Sequence, residues 1–442
     1  MRTRTRGSRR LVAFAAVAAL ATGLLAGCSE DSDSGSTDAS GGGNAHGKIT
    51  LTVGTYGVFG YKQAGLYDEY MKLHPDISIK ENVTERSDVY YPKMLTRLQA
   101  GSGADDIQAI EIANVSEVVR TQADKFEDLG KAKGVDESGW LDWKWKQATT
   151  DDGKTIGLGT DIGPMGLCYR KDLFKKAGLP TDRDELAKLW KGDWGKYVDL
   201  GKQYMKKAPS GTKFVDSAQG VYNAVMSGSK ERYYDGDKPV YEESKGRKAA
   251  WNAAMDVATS NMSAKLKQFD TPWNQAIANS KFATVSCPPW MLGQILENGG
   301  GSGKGQWDVA AAPTAANWGG SFLGVPTQGK NKDEATKLAV WLTAPEQQAK
   351  VFAKQASFPS TPAAYTNLKV SPDTATYFSD APLAQIFSDA AKNTPVADFG
   401  LKDQQIGSAI TDIGVLQVEQ QGKSPAQGWE AATKEIKDVL GE

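Results

Sequence analysis

The 442-residue chain is poor in the side chains that most hydrolytic and metal-dependent chemistry needs. It has two histidines, His46 and His74, and the second abuts a proline. That scarcity argues against Ser-His-Asp and Cys-His nucleophilic catalysis, and against the histidine-rich sites typical of zinc. The three cysteines, Cys28, Cys168 and Cys287, form no C-x-x-C pair, so no redox or metal-binding dithiol is offered. A G-x-x-x-x-G-K-[ST] phosphate loop and a dinucleotide fingerprint are both missing. Neither a metal nor a cofactor is therefore expected. A strong net charge is lacking too, the formal value being −1. All five charged residues before Cys28 are Arg; without them 47 basic residues face 53 acidic ones, a charge of −6. No nucleic-acid partner is expected from that balance. Acids are plentiful, but only Glu111 and Asp161 fall at strand ends, so a carboxylate-dependent carbohydrate-active enzyme is kept as an alternative.

The arginine-rich start is followed by an almost unbroken Ala/Leu/Val run, Leu11–Leu25, and by Leu25-Ala26-Gly27-Cys28. The run is short for a membrane span and has the flanks of an export signal. Its end resembles a bacterial lipobox, which implies that residues 1–27 are a signal peptide and that Cys28 carries the lipid. Ser8-Arg9-Arg10 leaves twin-arginine export open beside the general route. Residues 28–47 hold almost nothing to bury and read as a disordered tether spanning on the order of 25 Å. Export leaves Cys168 and Cys287 in an oxidising compartment, which favours one disulfide between them, with two buried thiols as the alternative.

From Lys48 the chain alternates strands and helices. Lys48–Val53 and Ile77–Val83 alternate apolar and polar residues, a helix is expected over Tyr90–Ala100, and Ile107–Ile112 is an apolar strand. That rhythm predicts an α/β domain with a mainly parallel sheet, with ligands at the carboxyl ends of its strands. Phe282–Ser286 reads as a half-buried strand stopped by Pro288 and Pro289, which donate no backbone N–H. Trp290 then stands at the strand's mouth, before a helical run Met291–Glu297, either as a ligand platform or as a core corner. One amphipathic helix is expected over Ile406–Gln420 and another over Ala426–Leu440.

The chain is rich in Trp, with twelve. Indole faces match the C–H faces of pyranose rings, while nearby polar groups take the hydroxyls. Trp290 and Trp318 both fall where a strand meets a loop. Trp140, Trp143, Trp190, Trp194, Trp251, Trp341 and Trp429 are assigned to packing instead.

These parts in this order resemble the maltodextrin-binding-like carbohydrate-uptake family of ABC-transporter solute-binding lipoproteins. The resemblance runs from about Lys48 to the C-terminus. It rests on Tyr169-Arg170-Lys171-Asp172-Leu173-Phe174, Pro289-Trp290-Met291-Leu292-Gly293, Trp318-Gly319-Gly320-Ser321 and Phe358-Pro359-Ser360. It implies a two-lobed periplasmic-binding-protein fold, two α/β domains joined by hinge strands with a ligand cleft between them. Residues 48–165 and 322–372 would form the N-terminal lobe, and 166–321 and 373–442 the C-terminal lobe, with a third crossing near Pro372–Phe378. Trp290 would be the stacking ring and Asp161 an acid for sugar hydroxyls. Tyr56 and Asn114 would lie on the first rim, Trp318, Gly319 and Gly320 at the hinge, and Asp398, Phe399 and Gln404 on a late loop. The strands carrying Cys168 and Cys287 would both border the hinge side of the second lobe. The implied function is a monomeric, lipid-anchored, extracytoplasmic receptor that binds an oligosaccharide and delivers it to an ABC permease. A polyol or another small solute is the alternative ligand. The motif loops contain no Arg or Lys, which favours a neutral sugar. The segment after Ile112, A-N-V-S-E, lacks the aromatic–acid pair of maltodextrin binders. The motifs look closer to binders of β-linked sugars such as cellobiose or xylobiose.

Overall fold

The alternating run after Lys48 is the start of a sheet. The computed structural model describes residues 48–442; the expected signal peptide and tether, with Cys28, lie outside the described residues. In chain order the strands are β1 (Ile49–Tyr56), β2 (Ile77–Thr84), β3 (Ile107–Glu111), β4 (Leu158–Gly159), β5 (Asp161–Ile162), β6 (Gly166–Arg170) and β7 (Lys213–Val215). They continue with β8 (Tyr234–Asp235), β9 (Lys238–Pro239), β10 (Phe282–Cys287), β11 (Trp307–Ala311), β12 (Ser321–Gly324) and β13 (Phe358–Pro359).

One lobe is built on a sheet of order β2-β1-β3-β12-β4. β1 pairs in parallel with β2 and β3, whereas β12 runs antiparallel between β3 and β4. Successive side chains of β12 serve opposite faces: Phe322 packs with Tyr90, Ile110 and Ile156, and Leu323 with Leu51, Val53 and Ala109. The other lobe has the order β11-β6-β10-β7. Here Leu167 and Tyr169 face one core, with Phe174, Trp190 and Tyr197, while Cys168 faces another, with Trp273, Trp307 and Phe387.

That double covering corrects one expectation. β10 was expected to be half-buried, but all six of its residues are buried. It lies between β6 and β7 with helices over both faces, so no position is left for water. A cross-strand disulfide joins Cys168 to Cys287, with Cα atoms 5.4 Å apart. Cys168 lies opposite Val285, two residues from Cys287 on the same pleat face.

The chain crosses between the lobes at β5, at Pro313–Gly320, and at β13, which pairs with β5. The third crossing is thus at Phe358–Pro359 rather than near Pro372–Phe378. Phe358, Ala364 and Leu368 accordingly pack with the second lobe's Trp273 and Trp307, and Phe352, on the helix just before the crossing, reaches the same core. A two-residue strand has no readable periodicity, which hid this crossing.

The expected helix over Ile406–Gln420 is not uniform. It is α-helical over Asp403–Ser408, π-helical over Ala409–Val415 and α-helical again over Leu416–Gln421. Gly414 lies in the wide turn, where a Cβ would come within 3.0 Å of the Ala432 Cβ. The last helix, Pro425–Leu440, opens with Ser424 and Gln427 in a reciprocal capping box, each satisfying the other's backbone N–H. No helix among the described residues is long and apolar enough to cross a membrane.

Candidate ligand cleft

The hinge segments are locked together by short polar contacts. Gly163 donates its N–H to the Asn317 Oδ1 at 2.8 Å, and Trp318 donates to the Gly163 carbonyl at 2.8 Å. Asn317 Nδ2 reaches the Gly319 carbonyl at 3.0 Å. Gly319 and Gly320 have φ of +84° and +113°, which only glycine adopts at little cost. Space gives a second reason: a Cβ on Gly319 would lie 2.8 Å from the Trp290 Nε1, and one on Gly320 2.6 Å from the Asp161 carbonyl.

This close approach fixes Trp290. Its indole donates to the Trp318 carbonyl at 2.8 Å and meets the Trp318 ring edge-on, centroids 5.2 Å apart. Pro288 and Pro289 set the strand-to-helix turn, with Pro289 in the first turn of the helix Pro289–Asn298, where its missing N–H costs nothing. One indole edge is thereby held while the side chain lines a cleft of about 450 Å³ between the lobes.

The cleft also takes in Tyr56, Asp161, Trp318, Gly319, Gly320, Phe399 and Gln404. Tyr56 Oη and Ser321 Oγ share a hydrogen bond of 2.6 Å. Asp161 Oδ1 accepts from the Ser321 N–H at 2.9 Å and the Thr160 hydroxyl at 2.7 Å. Burial raises the Asp161 pKa, with the Lys144 charge opposing it. Lys144 is fully buried behind Gly320 and 3.8 Å from the centre of the Phe322 ring. Burial pushes this amine down to about 7, against the pull of Asp161 and Glu111. Glu111 is raised to about 7, again by burial, although the Ala113 N–H and Lys144 favour its charged form.

Asn114 does not join this set. Glu111 caps the helix Ile112–Thr121 by accepting from the Ala113 N–H, so the helix begins at once and turns Asn114 into the protein, 1% exposed. Its neighbours Glu111, Ile112 and Ala113 supply that part of the rim instead. Asp398 is exposed, is held to the Lys230 carbonyl at 3.0 Å, and lies outside the lining.

Beside Trp290 and Gln404, much of the wall comes from residues not singled out by sequence. Gln219, Asn223 and Met226 form one stripe of the helix Ala218–Met226, and Trp290, Gln294 and Glu297 a stripe of the helix after β10. Gln404, Ser408, Thr411 and Asp412 line it from the helix with the π turn. Their i, i+3/i+4 spacing was visible in sequence, but polar stripes read as solvated faces unless another lobe closes over them. Cations are present as well: Arg86, Arg232 and Lys267 all line the cleft. Each is matched by acid: Arg86 by Asp88 and Asp270, Arg232 by Asp403, and Lys267 by Asp412. Arg232 also lies over the Phe399 ring at 4.8 Å. No cluster of metal-binding side chains occurs among the described residues.

A family model described as bacterial extracellular solute-binding protein matches residues 65–380. A crystal structure described as extracellular solute-binding protein family 1 is 40% identical, with a TM-score of 0.73 over 88% of this chain and 99% of that one. The ABC transporter associated binding protein of B. animalis subsp. lactis Bl-04, in complex with beta-1,6-galactobiose, is 17% identical. Its TM-score is 0.76 over 89% and 98% of the two chains. The arabinooligosaccharide-binding protein of Bacillus subtilis (strain 168) is 27% identical over 234 residues, 51% of this chain and 48% of that protein. The match thus spans about half the length of that curated relative.

Proposed function

Because the chain belongs to the bacterial extracellular solute-binding family, we propose that it is an oligosaccharide receptor that hands its ligand to an ABC import permease. It works as a monomer on the extracytoplasmic face, held by a lipid on Cys28, and it binds without turnover. The observation that carries the reading is Trp290, an indole fixed by its N–H in a cleft whose lining also offers amides, hydroxyls and paired charges. An aromatic face beside such groups suits the apolar face and hydroxyl rim of a pyranose. Charge pairing of Arg86, Arg232 and Lys267 supports a neutral ligand, since no lone cation is left among them to hold an anion. Ligands of other solute receptors support a short oligosaccharide: beta-1,6-galactobiose in one and arabino-oligosaccharides in the other. Within that class we favour a β-linked sugar over maltose.

Isothermal titration with arabino-oligosaccharides, β-1,6-galactobiose, cellobiose, xylobiose and maltose tests the reading. Saturable heat, a change in Trp fluorescence and no released product are expected for at least one β-linked or arabinose-based ligand. Trp290→Ala should cost about 2 kcal/mol, roughly 30-fold in affinity, the loss typical of a buried Trp anchor. No heat with any of these sugars would overturn it. Acylation is checked separately, by mass spectrometry of the N-terminal peptide beginning at Cys28.

A further inference from the structure

The charged end of the cleft is more ordered than a solvated face requires. Asp412 lies in the π-helical turn and accepts from Gln219 Nε2 at 2.6 Å and from Lys267 Nζ at 3.2 Å. Both members of the ion pair are about a quarter exposed, and that exposure opens onto the cleft. Behind them stands a buried layer. Gln219 Oε1 takes the Gln268 N–H at 3.4 Å, while Gln268 Nε2 and Trp273 Nε1 both donate to the Asp216 Oδ2 at 2.7 Å. A polar wall backed by its own hydrogen-bonded layer is pre-organised, unlike a surface pair free to swing in water.

The segment carrying Lys267 also links this end to the Trp290 end. Phe269, two residues on, lines the cleft with its ring 6.0 Å from that of Trp290. Its φ is +69°, an outlier for a bulky residue. Such backbone persists where surrounding contacts over-determine it, and it clusters at ligand clamps. The lining is therefore continuous from Trp290 through Phe269 to Lys267 and Asp412.

We propose that Asp412 and Lys267, oriented by Gln219, form a second sugar subsite that reads two adjacent hydroxyls of the ring beyond the one stacked on Trp290. The free lone pairs of the carboxylate accept from the hydroxyls and the ammonium donates to a hydroxyl oxygen. A neutral ligand of at least two rings is thereby recognised through charge-assisted hydrogen bonds. This rests on the oligosaccharide reading above and adds the residues that set ligand length.

Asp412→Asn and Lys267→Met are each titrated with galactose and β-1,6-galactobiose, arabinose and an arabinobiose, and glucose and cellobiose. Circular dichroism confirms folding, and either variant alone suffices if the other does not fold. For whichever disaccharide the wild type binds, affinity should fall about 10- to 100-fold, the range for hydrogen bonds to a charged group. Affinity for the matching monosaccharide should stay within about 2-fold of wild type. Where the monosaccharide does not bind the wild type, the disaccharide result decides alone. An unchanged disaccharide affinity, or an equal loss for both lengths, overturns the subsite while leaving the receptor reading intact. A wild type that binds none of these sugars removes the subsite, and one that also binds none of xylobiose, maltose and the longer arabino-oligosaccharides removes the receptor reading as well.

Discussion

Glu419 shows how a single buried acid makes the fold sensitive to pH. It is fully buried on the helix after the π turn and accepts from the Ala218 N–H at 2.7 Å, the Ser217 hydroxyl at 3.2 Å and the Ser263 hydroxyl. Burial nevertheless pushes its pKa up to about 7, and the Asp216 charge adds to the rise. Asp216 is itself raised to about 6 by burial. The folded state therefore holds protons that the unfolded chain, with carboxylates near pKa 4, releases. Stability from this source is fully present below about pH 4 and falls as pH rises towards 7. Denaturant unfolding at pH 5 and pH 8 should show a lower midpoint at pH 8, and Glu419→Gln should reduce that difference. An undiminished difference in the variant would assign the pH dependence to other groups, such as Glu111.

At the scale of elements, the disulfide and the glycine pair act on the same corner from opposite sides. The bond between β6 and β10 closes 119 residues, and the strands it joins are already paired through their backbones. Its contribution is mainly to restrict the unfolded chain, worth about 2–4 kcal/mol. Replacing both Cys168 and Cys287 by Ala should lower the denaturant midpoint accordingly and leave sugar affinity nearly unchanged. A large loss of affinity at unchanged stability would show instead that the bond positions Trp290. Gly319 and Gly320 act on the ligand side, because the indole of Trp290 and the Asp161 carbonyl occupy the space a side chain would need.

At the scale of the whole molecule, contacts on both rims tie one lobe to the other. On one rim Arg86 of the first lobe, braced by Asp88, reaches Asp270 of the second at 2.5 Å. On the other, Glu117 accepts from Lys402 and from Gln405 Nε2 at 2.7 Å, and Arg120 meets Asp237. Hinge-bending receptors bind in proportion to the population of the closed form. Asp270→Asn combined with Glu117→Gln should therefore weaken all ligands by a similar factor, about 3- to 10-fold. The radius of gyration of the ligand-free variant, from small-angle scattering, should rise. Unequal losses among ligands would show that these residues touch the sugar instead of holding the lobes together.

Sequence alone determined the α/β class, the two-lobed family and the residues that are conspicuous by type. Trp290, Trp318, Gly319 and Gly320 stand out because an aromatic at a strand end and paired glycines are legible locally. A disulfide between Cys168 and Cys287 was favoured by the oxidising compartment, and the strand register that brings the two together is what makes it. Asn114 was misplaced because one capping bond from Glu111 sets the phase of its helix. The third crossing and the wall of Gln219, Lys267, Ser408, Thr411 and Asp412 were decided only by tertiary structure. A polar stripe on a helix has the same sequence pattern whether it meets water or a ligand, and only the opposite lobe distinguishes the two.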